Sequence, residues 1–330
     1  MSSGAQDPRA LELRGRILRH RASASSDASQ PAEPEWRAMK ERGSVLGIKA
    51  LVVFATMFGR WPAHLVLYVV ALYYTVFSTR ARRSVHRFRA HLGLEPSFFA
   101  AYRTVLRFAQ CSLDALFHMR GKLEHFHVTR NGHHHLEALR EGGESAVLLG
   151  AHLGSIYALR TQSRAEDLPL VPVVYTKNAR RFNQVLSELD PSSTTRLIEI
   201  GDGGDVDFML AIRERAEQGA LIAILGDRTQ PGAKTVEVEF LGERALLPAG
   251  PYVLASLLRL PVYFTVGLYR GGGHYELHCI PFADRIELPR GRRDEAIAAY
   301  AQRYADLLAE MARSAPDNWF NFFDFWKRDA

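Results

Sequence analysis

A short apolar stretch followed directly by a histidine constrains the fold of this chain more than any other feature. From Ala146 onward the stretch reads AVLLGAHLGSIYALR, and its first five residues have the small, apolar composition of a buried strand. The pattern predicts that the strand ends at Gly150 and that a helix begins after Ser155. His152 lies in the predicted break between them.

The position of His152 favours a role in chemistry. Open α/β sheets bind their ligands in the crevice outside the carboxyl ends of the strands, and the loops there often carry functional residues. A histidine that only packs or hydrogen-bonds within a strand-to-helix turn would give the same pattern. The spacing alone therefore leaves both interpretations open.

After His152, short apolar runs alternate with segments of helical composition, which is typical of α/β folds. The predicted strands cover residues 170–175, 196–200, 220–225 and 236–240, and a hairpin joins 262–268 to 275–280 across three glycines. The predicted helices cover residues 96–119, 179–189, 206–218, a short segment ending at 258, and 294–313. We therefore predict an α/β fold with a central mixed, mostly parallel sheet flanked by helices.

Composition divides the chain into three parts. Residues 1–35 are rich in Ser, Ala, Arg and Pro without any aromatic side chain, so we predict a disordered tail. Residues 36–95 form an apolar and basic segment that we predict to be helical and membrane-associated. Residues 96–330 form the predicted α/β domain.

The membrane prediction rests on two apolar runs, 45–58 and 63–77, which the sequence GRWP separates. Each run is shorter than the roughly 20 residues that a spanning helix needs, so each suits the interface or half of a re-entrant hairpin. Basic residues flank both sides, and those that follow the second run are Arg80, Arg82, Arg83, Arg87 and Arg89. Such flanks predict a segment that dips into the membrane and returns to the cytoplasmic side. A pair of buried helices is the alternative, and the arginine density favours the membrane.

Net charge and motif spacing exclude several classes of function. The net charge of +6 suits an anionic partner, but no recognition helix or aromatic and basic sheet motif indicates nucleic acid. Two cysteines without a CxxC pair, and three adjacent histidines that point in different directions on a helix, do not predict a metal site. The turn GDGGD lacks the spacing of a dinucleotide fingerprint. We therefore expect neither a cofactor nor a metal.

Four blocks of sequence, in this order, resemble a known family: the His152 stretch, Asp227 at a strand end, FLGERALLPAGPYVLA at 240–255 and PDNWFNFFDFWKR at 316–328. From about Trp36 onward the chain is similar to the lipid A biosynthesis (late) acyltransferases of the lysophospholipid acyltransferase superfamily. The resemblance implies transfer of a fatty acyl chain from an acyl carrier protein or CoA thioester to a hydroxyl of a lipid or glycolipid. A lipid A-like molecule or a polyene or pigment lipid would be the acceptor, at the cytoplasmic face of the bacterial inner membrane.

The family motif is a histidine followed five positions later by Asp or Glu. The resemblance implies that His152 is the general base, because imidazole takes and returns a proton near neutral pH. The motif carboxylate would orient it, but Tyr157 stands at that position, and a phenol is neutral at pH 7. Asp227 is the predicted substitute, although it also suits a cap for the turn before Gln230.

Other residues near these strand ends are candidates for substrate contacts. Basic side chains could bind a phosphate, a phosphopantetheine or an anionic headgroup, and these are Arg228, Lys177, Arg180 and Arg181. Backbone N–H groups at a helix start could bind the oxyanion, and these belong to Gly154 and Ser155. The predicted walls of the acyl groove include Phe240, Gly242 and Pro248.

Tyr157 leaves a second function open. A family member without its motif carboxylate could be a catalytically weak or inactive protein that binds lipid or scaffolds a pathway.

The surroundings of the six aromatic rings in the 316–328 block are also open, since both a protein core and a membrane interface accept such rings.

Overall fold

The computed structural model describes residues 45–165, 168–174, 198–199, 206–229 and 232–326, all within one compact unit that spans Pro34–Ala330. The described residues form a central mixed sheet of seven strands. Its strands, in chain order, are β1 (His127–Asn131), β2 (Ala146–Gly154), β3 (Leu170–Val174), β4 (Ile198–Glu199), β5 (Leu221–Leu225), and then β8 (Val262–Gly271) and β9 (His274–Ala283). A separate antiparallel hairpin contains β6 (Thr235–Phe240) and β7 (Glu243–Pro248).

The spatial order of the sheet is β1-β9-β8-β2-β5-β3-β4, and every pairing except the β8–β9 hairpin is parallel. The predicted fold class, a mixed and mostly parallel sheet flanked by helices, is therefore confirmed. β2 lies between β8 and β5, and its carboxyl end opens at the same edge as that of β5. This arrangement brings the residues that follow β2 and β5 together.

Helices surround the sheet and precede it in the chain. Their bounds are α1 (Val45–Phe58), α2 (Arg60–Phe77), α3 (Thr79–His91), α4 (Phe98–Met119), α5 (His133–Gly142), α6 (Ile156–Ala165), α7 (Val206–Glu217), α8 (Gly250–Leu258) and α9 (Arg293–Ser314). The predicted helix at 179–189 and the predicted tail at 1–35 lie outside the described residues. The division of the chain near residues 36 and 96 stays a prediction.

The end of β2 differs from the prediction. The strand does not stop at Gly150 but continues through His152 to Gly154, with a register irregularity against β8 between these two glycines. Gly154 pairs with Gly267 at a φ of +73°, and a Cβ added to Gly154 would lie 2.1 Å from the Gly267 carbonyl oxygen. Only glycine fits this approach, so β8 holds the chain extended beyond the expected break. His152 is consequently part of an irregular strand rather than of a loop.

The C-terminal aromatic block packs into the protein core. Trp319, Phe320, Phe325 and Trp326 are buried, and Trp319 forms an isolated antiparallel bridge with Leu153 in β2. Its ring stacks on Phe88 of α3 at a centroid distance of 5.0 Å. Burial of large rings contributes several kcal/mol of apolar transfer free energy, which fixes this segment against the strand that carries His152.

α1 and α2 bury one side and expose the other. Small and aliphatic residues at every fourth position of α2 pack inward, and these are Ala63, Leu67, Ala71 and Thr75. The first three of them belong, together with residues of α1 and α4, to a separate apolar cluster. Within the described ranges, no helix alone has the length and hydropathy of a membrane span; α2 and α3 reach them only as a pair, with an 89° bend between them.

Candidate active site

His152 and Asp227 meet at the carboxyl ends of the neighbouring strands β2 and β5. The imidazole Nδ1 lies 2.9 Å from Asp227 Oδ1 and 3.2 Å from Oδ2. The backbone N–H of His152 also donates to Oδ2, at 3.0 Å. Two contacts from one residue fix the carboxylate relative to both the ring and the strand, so the pair is rigid.

The hydrogen-bond pattern decides where the imidazole proton lies. An ionised carboxylate only accepts hydrogen bonds, so Nδ1 of a neutral His152 carries the proton and Nε2 carries the lone pair. Within the described part of the chain, Nε2 has no hydrogen-bond partner. The His152 side chain is 26% exposed whereas that of Asp227 is fully buried. The ring therefore presents a basic nitrogen to an accessible space and keeps its acidic partner inside.

The electrostatics of the pair favour a neutral imidazole beside an ionised carboxylate. Burial lowers the pKa of His152 first, and the positive charge of Arg228 lowers it further, against the opposing effect of Asp227. Burial would raise the pKa of Asp227, but the charge and hydrogen bond of His152, together with Arg228, lower that pKa to about 2. At neutral pH the site thus holds a free base next to a permanent negative charge.

Two residues from beyond the strands complete the site. The side chain of Asn321 is buried, and its Nδ2 donates to Asp227 Oδ2 at 3.2 Å. Arg228 donates from Nε to Asn321 Oδ1 at 2.9 Å. Nothing in the sequence singled out Asn321, since it is one polar residue in an aromatic block and its partner is 94 positions away. Its burial and its contacts with Asp227 and Arg228 became visible only in the structure.

A family model for bacterial lipid A biosynthesis acyltransferases matches residues 116–328, which is more than half of the chain. The chain belongs to this acyltransferase family. The matched region contains both His152 and Asp227 as well as the aromatic block, and it begins within α4. A search of the curated proteins found no match.

Membership of the lipid A acyltransferase family supports a general acyltransferase function. It also supports an acyl donor and a lipid acceptor as the two classes of molecule that the protein handles. The described residues contain no cluster of His, Cys, Asp and Glu with which the acyltransferase could hold a metal ion.

The structure distinguishes between the two candidate partners of His152. Asp227 forms the direct hydrogen bond, so the carboxylate comes from the segment that follows β5 rather than from the motif position. Tyr157 lies in the first turn of α6, and burial raises its pKa to about 12. The phenol therefore stays neutral and cannot take over the charge of the missing motif residue.

One predicted oxyanion donor is corrected. The Ser155 N–H donates to the Gly267 carbonyl oxygen at 2.7 Å, because β2 stays paired with β8 up to this point. The Ser155 hydroxyl in turn accepts from the Ala158 N–H at 3.2 Å and caps α6. Ser155 is therefore used for local structure, and Gly154 serves the close contact with β8.

The other predicted substrate contacts have different surroundings. Phe240 is packed in the core against Trp319 at 5.4 Å, whereas Gly242 lies exposed at the β6–β7 turn. Pro248 is buried at the other end of that hairpin. The three residues therefore lie at different points of one hairpin, and their role as walls of an acyl groove stays a prediction. Arg228 is the one predicted basic contact that adjoins the pair; the others, Lys177, Arg180 and Arg181, lie outside the described residues.

Proposed function

We propose that this protein is a membrane-associated acyltransferase with His152 as the general base and Asp227 as the carboxylate that orients it. The acyl donor would be an acyl carrier protein or CoA thioester, and the acceptor a hydroxyl of a lipid or glycolipid. The observation that carries the proposal is the His152–Asp227 pair, with Nδ1 bound at 2.9 Å and Nε2 towards accessible space.

The proposed reaction uses Nε2 twice. It takes the proton of the acceptor hydroxyl while the hydroxyl oxygen attacks the thioester carbonyl carbon. The tetrahedral intermediate then breaks its carbon–sulfur bond, and the leaving thiolate receives the proton from the imidazolium. Asp227 stabilises the imidazolium and holds the ring in one tautomer, as the aspartate of a serine protease triad does.

This assignment explains how a member of the family can lack the motif carboxylate. A substitute must be ionised, buried and bound to Nδ1, and Asp227 satisfies all three conditions. The alternative of a catalytically weak or inactive protein draws its support from Tyr157. The structure gives His152 a carboxylate partner in spite of that tyrosine, which favours the active enzyme.

Membrane association is supported by the outward face of α1 and α2. Large apolar side chains stay exposed there, and they include Val53, Met57, Phe58, Trp61, Leu65, Tyr68, Val69, Leu72, Tyr73, Val76 and Phe77. Soluble proteins rarely expose so continuous an apolar surface. The arginines of α3 follow this segment in the chain. We therefore propose that this face lies in the cytoplasmic leaflet of the inner membrane, with α3 at the headgroups.

Lipid mass spectrometry tests the proposed function in the natural host. A strain that lacks the protein should lose one acylated species, and a copy of the wild-type gene should restore it while the His152→Ala gene does not. Immunoblotting must show equal amounts of both proteins. Restoration by the His152→Ala protein would contradict the proposed role of His152.

Vesicle binding tests the membrane proposal separately. Trp61 is 73% exposed on α2, and Leu257 is 61% exposed on α8, which is not one of the helices of the proposed membrane face. Replacing Trp61 by Ala should weaken binding to vesicles of phosphatidylglycerol and phosphatidylethanolamine by about tenfold, since a buried indole contributes a few kcal/mol at most. Leu257→Ala should bind like the wild type. Equal binding of all three proteins would refute this orientation.

A further inference from the structure

We infer that Asn321 is a positioning residue that holds Asp227 against His152 and keeps the Arg228 guanidinium away from the Asp227 carboxylate. The inference rests on the proposed function and deepens it, because it makes the C-terminal aromatic segment part of the site. Because Asn321 is buried and bound to Asp227, it acts through Asp227 rather than on a substrate.

The amide of Asn321 is fixed by its two neighbours. Arg228 has only donors and the ionised Asp227 has only acceptors, so a single amide orientation satisfies both. In that orientation Oδ1 accepts from Arg228 at 2.9 Å and Nδ2 donates to Asp227 at 3.2 Å. The amide is thus a neutral spacer between the partly buried guanidinium of Arg228 and the buried carboxylate of Asp227.

Hydrogen bonds of Asn318 and Phe320, which precede Asn321 in the chain, hold its segment in place. The Phe320 N–H donates to the His152 carbonyl oxygen at 3.3 Å. Asn318, three residues earlier, accepts from the Tyr269 N–H at 2.7 Å and donates to the Tyr269 carbonyl oxygen at 3.0 Å. The segment is therefore attached to β2 and β8 independently of the Asn321 side chain.

The separation of Arg228 from Asp227 matters for the base. Among the described residues, no hydrogen bond or ion pair joins the Arg228 guanidinium to the Asp227 carboxylate. Within the part of the chain that the structure describes, the imidazole is consequently the one titratable side chain bound directly to Asp227. A guanidinium in direct contact would compete for the carboxylate and make the imidazolium less stable.

Other titratable groups near the pair leave its charge unchanged near neutral pH. Tyr304 of α9 donates to the Gly150 carbonyl oxygen at 2.9 Å, and burial holds its pKa well above the ordinary value. Tyr157 of α6 is also neutral. Arg228 and Asp227 are therefore the charges through which Asn321 acts on His152.

Two substitutions of Asn321 should shift the titration of His152 in opposite directions. Asn321→Ala frees Arg228 to pair with Asp227, which should lower the pKa of His152. Asn321→Asp keeps an acceptor for the hydrogen bond from Arg228 and adds a negative charge beside Asp227. This substitution should raise the pKa of His152. We expect each shift to be at least about half a pH unit, measured by NMR of the His152 ring in the full-length protein.

Asn318→Ala is the matched control, since it removes a buried asparagine from the same segment without a contact to Asp227. It should lower the melting temperature and leave the His152 titration unchanged. The inference would be overturned if the pKa of His152 did not shift in the Asn321 variants or shifted in the same direction in both. It would also be overturned if Asn318→Ala shifted that pKa equally. If Asn321→Ala does not fold, the isosteric Asn321→Asp decides alone, by an upward shift or its absence.

The pH dependence of acyl transfer gives a second readout. The pKa of His152 lies below its ordinary value of 6.5. Wild-type kcat/KM should therefore fall when the pH drops below this lowered pKa and should stay level above it. The acid limb should move with the NMR titration in both Asn321 variants, and kcat should fall about tenfold with KM nearly unchanged. Absence of acyl transfer alongside the predicted NMR shifts would refute the proposed function and retain the inference about Asn321.

Discussion

Two fully buried aspartates, Asp227 and Asp114, each contact a histidine and lie near an arginine, but only Asp114 is bound directly by its arginine in the described structure. Asp114 of α4 accepts two hydrogen bonds from Arg60 of α2, at 2.7 and 2.9 Å. It also accepts from the Tyr275 hydroxyl at 2.8 Å and lies 2.9 Å from His64 Nε2. Asp227 has a histidine too, but its nearby arginine binds Asn321 instead.

The difference lies in what neutralises each carboxylate. Arg60 neutralises Asp114 directly, so His64 adds one contact to a closed ion pair that ties α2 to α4 and, through Tyr275, to β9. Among the residues that the structure describes, Asp227 binds no such cation, and its charge is available to an imidazole with an accessible second nitrogen. The comparison indicates that a buried carboxylate can orient a catalytic imidazole when the nearby arginine is bound by another side chain instead of by the carboxylate itself.

The largest expected effect separates the two histidines. His152→Ala should lower kcat by at least about 10⁴-fold, because it removes the base, while the melting temperature changes little. His64→Ala should leave kcat within about threefold of the wild type. Steady-state acyl transfer with equal amounts of folded protein measures both values. A comparable loss of turnover in both variants would abolish the distinction.

A smaller effect, on stability, should distinguish the two aspartates in the opposite sense. Asp114→Asn leaves Arg60 buried without its counter-charge, which should cost about 3–5 kcal/mol of unfolding free energy. The melting temperature should then fall by roughly 10 °C, with turnover per folded molecule retained. Calorimetry provides the measurement. Retained stability would show that Arg60 finds another partner and that the ion pair is not the anchor of α2.

The smallest effect isolates one hydrogen bond of the closed ion pair. Tyr275→Phe removes the hydroxyl that donates to Asp114 and keeps the ring, so unfolding should become easier by about 1 kcal/mol. Denaturant titration with an unchanged m-value would measure it. A loss above about 3 kcal/mol would mean that the hydroxyl supports more than this bond.

Local patterns predicted most of the fold. The β8–β9 hairpin follows from two apolar runs around three glycines, and α9 follows from helical periodicity. The predicted end of β2 was wrong because pairing with β8, more than 100 positions away, extends the strand through His152. Sequence periodicity contains no information about such a partner.

The part of the candidate site that lies at strand ends was predictable from the order of strands in the sequence. Asp227 was a candidate because parallel strands place their carboxyl ends at one edge of the sheet. Asn321 and the Asp114–Arg60 pair depend on contacts across 94 and 54 positions. No spacing rule connects residues that distant, so three-dimensional packing was needed to find them.

The most direct test of the central claim compares Asp227→Asn with Tyr157→Phe in one acyl-transfer assay. If Asp227 holds His152, Asp227→Asn should lower kcat by about 10³–10⁴-fold, as the loss of an orienting carboxylate does in serine proteases. Tyr157→Phe should remain within about threefold of the wild type. The reverse order, with a severe loss in Tyr157→Phe and near-normal turnover in Asp227→Asn, would contradict the account.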